Sequence, residues 1–353
     1  MAEGAGGAPR IWWRMPGSAQ VERLVPDAAG DAVFVLEPFA PGGDVEGRRF
    51  RGRVEVADFP KVGTVGPGRM RPEGATARPE HLAAVESILR DIEAGTLVKA
   101  VLGRMATIGR EVSGFVAPEA FFQAKCAEHP SAFVYLLEDG AAGVWSGASP
   151  ELLVGSTGAE GGFETVSLAG TRRVGAGGDW TDKERAEQGV VTQYIREALE
   201  RVGAEGLEVE PPQDRRYGGL THLASRITGH YAGPLWDLAA VLHPTPAVGG
   251  APLAPAQARI AALERVPRRY YAGYLGIWRG DGHPGSRLFV NLRCAEWTPA
   301  GMRLHAGGGI VAGSDPAAEW EETEAKLQSI QPHPAPPTAP ASPSTHPAPP
   351  AAG

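Results

Sequence analysis

The sequence predicts an α+β fold built on large antiparallel sheets. Short β-type runs bounded by Gly, Pro and Asp turns recur along the chain, helical periodicity is confined to a few stretches, and no internal repeat of short fixed period is present. With 353 residues, 42% of them hydrophobic, the chain can bury one large core or two ordinary ones.

Ala32–Pro38 and Arg49–Phe59 read as short strands broken by Pro-Gly-Gly and Gly-Arg-Arg, in a region without recognisable chemistry. From Glu80 to Ala94 the residues Leu82, Val85, Ile88, Leu89 and Ile92 fall at helical spacing, and Gly95 stops the helix. Leu97–Arg104 is a strand. It sets Lys99 inside an apolar, β-branched run, where a charged amine is costly unless it has a partner or a lowered pKa. Ala132–Leu137 and Ala142–Ser146 form an antiparallel pair around Glu138-Asp139-Gly140 and lead into Gly147–Leu153.

Val166–Leu168 is a strand ending in the small-residue turn Ala169-Gly170-Thr171-Arg172. A helix then starts near Asp182 and carries Val190, Val191, Tyr194, Ile195, Ala198 and Leu199 on one face. Gly189 costs that helix ~1 kcal/mol against Ala, which points to close packing or ligand approach there. Leu220–Gly229 and Leu275–Trp278 read as strands, separated by the loop Leu242–Gly250 and a helix Pro255–Leu263. Leu288–Arg293 and Met302–His305 read as a second hairpin-like pair leading into Ala306–Val311, and the closing helix spans about Pro316 to Ile330. Residues 11–330 are expected to form a single catalytic domain. The small, polar residues 1–10 and the Pro-rich tail 331–353 are expected to be disordered.

Several function classes are excluded by composition. The formal net charge is −7 and Lys and Arg are scattered, so no nucleic-acid footprint exists. Cys126 and Cys294 stand far apart without a second pair, which removes a disulfide framework and a structural zinc site. No run approaches the ~18 apolar residues of a membrane span and no secretory pattern opens the chain, so a cytoplasmic protein with no membrane partner is expected.

The closing helix carries Glu319 and Glu322 at i, i+3, which puts both carboxylates on one face, with Lys326 a turn beyond. By themselves these are what a solvated helix face looks like, just as Asp182, Glu184 and Glu187 are what a helix N-terminus favours. Hard cations such as Mg²⁺ take one or two carboxylates with water and substrate, and two glutamate-bearing helices, at Glu187 and Glu319, meet that need.

The blocks Lys99–Arg104, Gly147–Leu153, Leu168–Arg172, Lys183–Glu187, the His243 loop, Tyr271-Ala272-Gly273, Ala306–Val311 and Glu319–Thr323 with Lys326 stand in a recognisable order. Through them the chain resembles, from about Lys99 to Ile330, the chorismate-utilising family of isochorismate, salicylate, anthranilate and aminodeoxychorismate synthases. The resemblance implies an α/β sandwich of antiparallel sheets flanked by helices, with chorismate as substrate, Mg²⁺ as cofactor and a monomer as the commonest state. Lys99 stands where water-adding members carry a general base, and Ala169 where aminodeoxychorismate synthases carry a nucleophilic lysine. Gly147–Leu153 and His243–Gly250 are spelled as in isochorismate synthases.

The resemblance also implies roles. Lys99 activates the water that attacks C2, and Glu151, on the opposite face, protonates the departing C4 hydroxyl. Glu187 and Glu319 hold Mg²⁺, with Glu322 assisting through water. Arg293 and the amides of Gly307, Gly308 and Gly309 meet the enolpyruvyl carboxylate. Lys326 lies near the ring carboxylate, and Ala169, Gly170, Thr171, His243 and Tyr271 line the pocket. Use in 2,3-dihydroxybenzoate and catecholate siderophore synthesis is expected ahead of menaquinone. Salicylate synthase and a non-catalytic binding module are the alternatives. The sequence departs from the family where Lys-Asp-Arg-His-Glu-His reads Lys183-Glu184-Arg185-Ala186-Glu187-Gln188, where Gly308 replaces a commoner alanine, and in a short Thr171–Lys183 connection.

Overall fold

The computed structural model describes residues 7–40, 43–59, 76–110, 115–175, 179–217 and 220–331. Four strands open the chain: β1 (Arg10–Arg14), β2 (Glu22–Pro26), β3 (Ala32–Glu37) and β4 (Arg48–Val56). After α1 (Arg78–Glu93) and β5 (Lys99–Gly109) come α2 (Pro118–Glu128), β6 (Phe133–Asp139), β7 (Gly143–Ser149), β8 (Leu152–Ser156) and β9 (Gly162–Arg173). Next are α3 (Asp182–Arg201), β10 (Glu205–Val209), β11 (Gln213–Tyr217), β12 (Leu220–His230) and α4 (Leu235–Leu242). The chain continues through β13 (Gly250–Ala251), α5 (Leu253–Leu263), β14 (Tyr274–Trp278), β15 (Arg287–Val290), β16 (Cys294–Thr298), β17 (Gly301–Val311) and α6 (Pro316–Ile330).

Every pairing among these strands is antiparallel, as expected. One half runs β13–β5–β17–β16–β7–β6–β1. The other runs β3–β14–β15–β8–β9–β12, with β10 and β11 on β12. The link between them is β1–β2–β4–β3. Antiparallel sheets with one wet face alternate apolar and polar residues, but β6 and β8 are buried nearly throughout, because both faces of each half are covered. Between the halves, Phe133 stacks on Phe289 at 4.4 Å and Tyr135 donates to Asn291 at 2.8 Å. On the outer faces, α1, α2, α5 and α6 pack over the first half and α3 and α4 over the second, completing an α/β sandwich.

Helix starts follow local chemistry. Thr181 and Glu184 form a reciprocal capping box at α3, and Asp315 accepts from the Ala318 amide at α6. Three expectations need correcting. Leu288–Arg293 does not pair with Met302–His305: β15 lies between β14 and β8, and the hairpin is β16 with β17. The residues Ala169–Arg172 are not a turn but a bulge inside β9, where Ala169 and Arg172 face Leu223 and Thr221 with two residues against one. Arg10, placed in a disordered start, begins β1 and pairs with Glu138. Of the Pro-rich tail only Gln331 is described. It is buried and its carbonyl accepts from Lys125; residues 1–6 and 332–353 lie outside the described residues.

Candidate active site

A cleft opens where the first half's edge strands, the β9 bulge, α3 and α6 converge. Lys99, Glu151, Ala169, Gly170, Glu187, Tyr271, Arg293, Gly307, Gly309, Glu322 and Lys326 line it. Lys99 is buried and donates to Glu187 Oε1 at 2.8 Å, so the amine in this apolar strand has a partner. Glu151 follows β7 in a fully buried position, and burial raises its pKa from 4.5 to about 8 against the opposing pull of Lys99 and Arg293. That shift favours the protonated acid at neutral pH.

Gly170 takes φ +69°, a left-handed conformation that suits glycine, and the bulge it creates turns its carbonyl to His222 Nδ1 at 3.0 Å. The other ring nitrogen, Nε2, lies 3.3 Å from Arg293 Nη2. A guanidinium only donates, so Nε2 accepts and Nδ1 carries the proton. Burial and the charges of Arg293 and Lys326 push the His222 pKa down to about 3, consistent with a neutral ring. His222 has no place among the expected site residues. Its sequence surroundings, a lone histidine in a strand, carry no signal.

On β17 alternation sorts the glycines. The outward bonds of Val101 and Gly103 to Gly249, Arg268 and Glu264 mark these residues, with their partners Gly309 and Gly307, as the non-hydrogen-bonded pairs of the ladder. The amides of Gly307 and Gly309 therefore turn away from β5, and Gly307 offers its carbonyl to Lys326 Nζ at 2.9 Å. Gly308 departs from its expected role. Its amide belongs to the ladder with Leu102, and a Cβ on it would point the other way, 3.2 Å from Glu319 Oε2. At Gly309 a Cβ would stand 2.5 Å from Glu187 Oε1, so only glycine leaves room for the Lys99–Glu187 pair.

Glu319 and His243 also sit elsewhere than expected. Glu319 does not line the cleft: it is buried beneath α6, where Ser314 Oγ donates to it at 2.6 Å. Glu322, expected only to assist, faces the cleft and pairs with Lys326 at 2.6 Å. His243 is also absent from the lining. Its ring stands edge-on to Phe39 and Tyr274 and its Nε2 meets the Phe39 carbonyl at 3.3 Å, while the same loop delivers Ala247 and Val248 to the cleft. The Thr171 side chain lies outside the described residues. Gln188, the last of the three departures from the family block, is buried and donates to Ser167, Thr192 and Ser225, tying α3 to β9 and β12.

Among the described residues no three His, Cys, Asp or Glu side chains gather into a metal cage. Glu187 and Glu322 both present carboxylates to the cleft, which suits a hard cation that takes its remaining ligands from water and substrate.

The family model for chorismate binding enzymes matches residues 60–332, most of the chain. The chain belongs to that family. Among its relatives, anthranilate synthase component 1 1 of Halobacterium salinarum is 31% identical over 86% of this chain. Isochorismate synthase EntC of Escherichia coli K12 is 32% identical over 66% of it. The salicylate biosynthesis isochorismate synthase of Pseudomonas aeruginosa is 34% identical over 75%. The aligned regions span 58%, 61% and 59% of those relatives' own lengths. The solved structure of MenF, the menaquinone-specific isochorismate synthase of Escherichia coli, shares the fold of this chain with a TM-score of 0.77 at 22% identity. It covers 92% of this chain and 89% of that one. Anthranilate synthase component I of Streptococcus pneumoniae gives a TM-score of 0.63 over 77% of this chain and 61% of its own, at 22% identity. No described helix is long and apolar enough to cross a membrane.

Proposed function

We propose that this chain converts chorismate to isochorismate, adding water at C2 with loss of the C4 hydroxyl. The observation that carries the reading is the meeting, in one cleft, of a buried lysine and a buried carboxyl: Lys99 and Glu151. The Lys99 amine removes a proton from the attacking water, and Glu151 gives its proton to the departing hydroxyl, so one water enters and one leaves. Arg293 and the amides of Gly307 and Gly309 receive the enolpyruvyl carboxylate, with Lys326 beside the ring carboxylate. Tyr271 closes one wall.

Glu187 and Glu322 are the residues that would hold Mg²⁺, which when bound neutralises the substrate's ring carboxylate. Relatives named isochorismate synthase support the reading, and so does Lys99, since ammonia-using members differ at its position. Lys99→Ala tests it: turnover should be lost while chorismate binding, followed calorimetrically, stays within a few-fold. Near-normal turnover would remove Lys99 as the base.

A further inference from the structure

The catalytic strand β5 has an exposed edge problem. On one side it pairs with β17 along its whole length, but on the other β13 reaches only Lys99 and Ala100. Beyond them no strand meets the outward backbone: the Val101 amide finds the Gly249 carbonyl at 3.4 Å, but the buried Val101 carbonyl and the half-buried Gly103 amide need other partners.

A side-chain pair takes the missing strand's place. Glu264, at the end of α5, and Arg268 form a buried ion pair, their side chains only 8% and 5% exposed. Arg268 Nε donates to Glu264 Oε2 at 2.8 Å and Nη2 to Oε1 at 2.5 Å. The same Nη2 donates to the Val101 carbonyl at 2.6 Å, and Glu264 Oε1 accepts from the Gly103 amide at 2.6 Å. Donor meets carbonyl and acceptor meets amide, in the order a neighbouring strand would offer them. Arg268 also donates through Nη1 to the Val248 carbonyl at 2.8 Å, and its carbonyl accepts from the Tyr271 amide at 2.9 Å. Lys99, Val101, Val248 and Tyr271 all line the cleft. Gly103 completes the device, since a Cβ there would stand 2.9 Å from Glu264 Oε1.

We infer that Glu264 and Arg268 are a positioning pair: a surrogate strand that fixes the β5 edge and, through it, the Lys99 wall against the Val248 and Tyr271 walls of the cleft. The pair touches no reacting atom. Its consequence for turnover rests on the reaction proposed above, whereas its hold on β5 does not. Polarity is the distinguishing feature. A simple ion pair works in either orientation, but a surrogate strand does not, because Val101 needs a donor and Gly103 an acceptor.

The test combines residue-resolved amide exchange with chorismate turnover in E264Q, E264L, R268K and the reversal E264R/R268E. E264Q keeps an acceptor for Gly103 and E264L removes it, so Gly103 exchange should rise at least about tenfold more in E264L, with β9 and β12 amides unchanged. R268K, lacking the fork, should lower kcat about tenfold or more with a smaller change in KM, and the reversal should not recover it. If E264L does not fold, G103A displaces the carboxylate instead and should give the same loss of protection at the position-103 amide. Reversal to within about twofold of wild-type turnover, or equal Gly103 exchange in E264Q and E264L, would overturn the inference. If the wild-type protein does not turn over chorismate, the proposed reaction fails, while the exchange comparison still decides the role of the pair.

Discussion

Glu151 shows how far a single residue's setting determines its use. Its carboxyl has left water entirely, so the proton that an unfolded chain releases near 4.5 is held to about 8 in the fold. Between those values the native state binds more protons than the unfolded one. The stabilising contribution is complete below about 4.5 and is lost as pH rises through about 8. Glu151→Gln should therefore gain stability relative to wild type when urea unfolding is compared at pH 8.5 rather than pH 5, while losing roughly 10²–10⁴-fold in turnover. Unchanged relative stability across that window would contradict the buried, protonated state. Lys99 and Glu151 were legible because their blocks resemble a family. His222 was not, since its meaning depends on a bulge in β9 pairing across fifty residues of chain to aim Gly170 at it.

At the scale of elements, periodicity placed α1, α3, α5 and α6 but passed over α2 and α4, and it did not settle what each face meets. Glu319 and Glu322 are a turn apart on α6, yet one is buried against Gly308 and Ser314 and the other looks into the cleft. Helical spacing cannot separate them, because the border between the two environments is the edge of β17, a partner distant in sequence. Glu322→Gln should weaken the magnesium dependence of turnover about tenfold or more, whereas Glu319→Gln should act mainly on stability; equal shifts in the two magnesium titrations would return Glu319 to the metal shell. Gly189 met the opposite fate. A Cβ there would touch nothing within 4 Å, so neither packing nor ligand approach explains it. Gly189→Ala should raise stability by roughly 0.5–1 kcal/mol without changing turnover, measured by thermal unfolding and product formation.

Across the whole molecule, the region that was opaque as sequence turns out to join the two halves. β1 pairs with both β6 and β2, and β2 hands on through β4 to β3, so the first strands make two stacked sheets one hydrogen-bonded structure. Pairings such as Ile11 with Leu137 connect segments far apart in the chain, and no local pattern announces them. The sandwich brings Lys99 on β5, Glu151 before β8, Glu187 on α3 and Glu322 on α6 into one cleft, and the reaction proposed requires all four. Its central claim is that water is the nucleophile. Incubating the protein with chorismate and Mg²⁺ in ¹⁸O-labelled water, and following products by mass spectrometry, tests that claim most directly. Isochorismate carrying one labelled oxygen is the result predicted. Anthranilate formed only when ammonia is supplied, salicylate with pyruvate as the main products, or no conversion at all would contradict it.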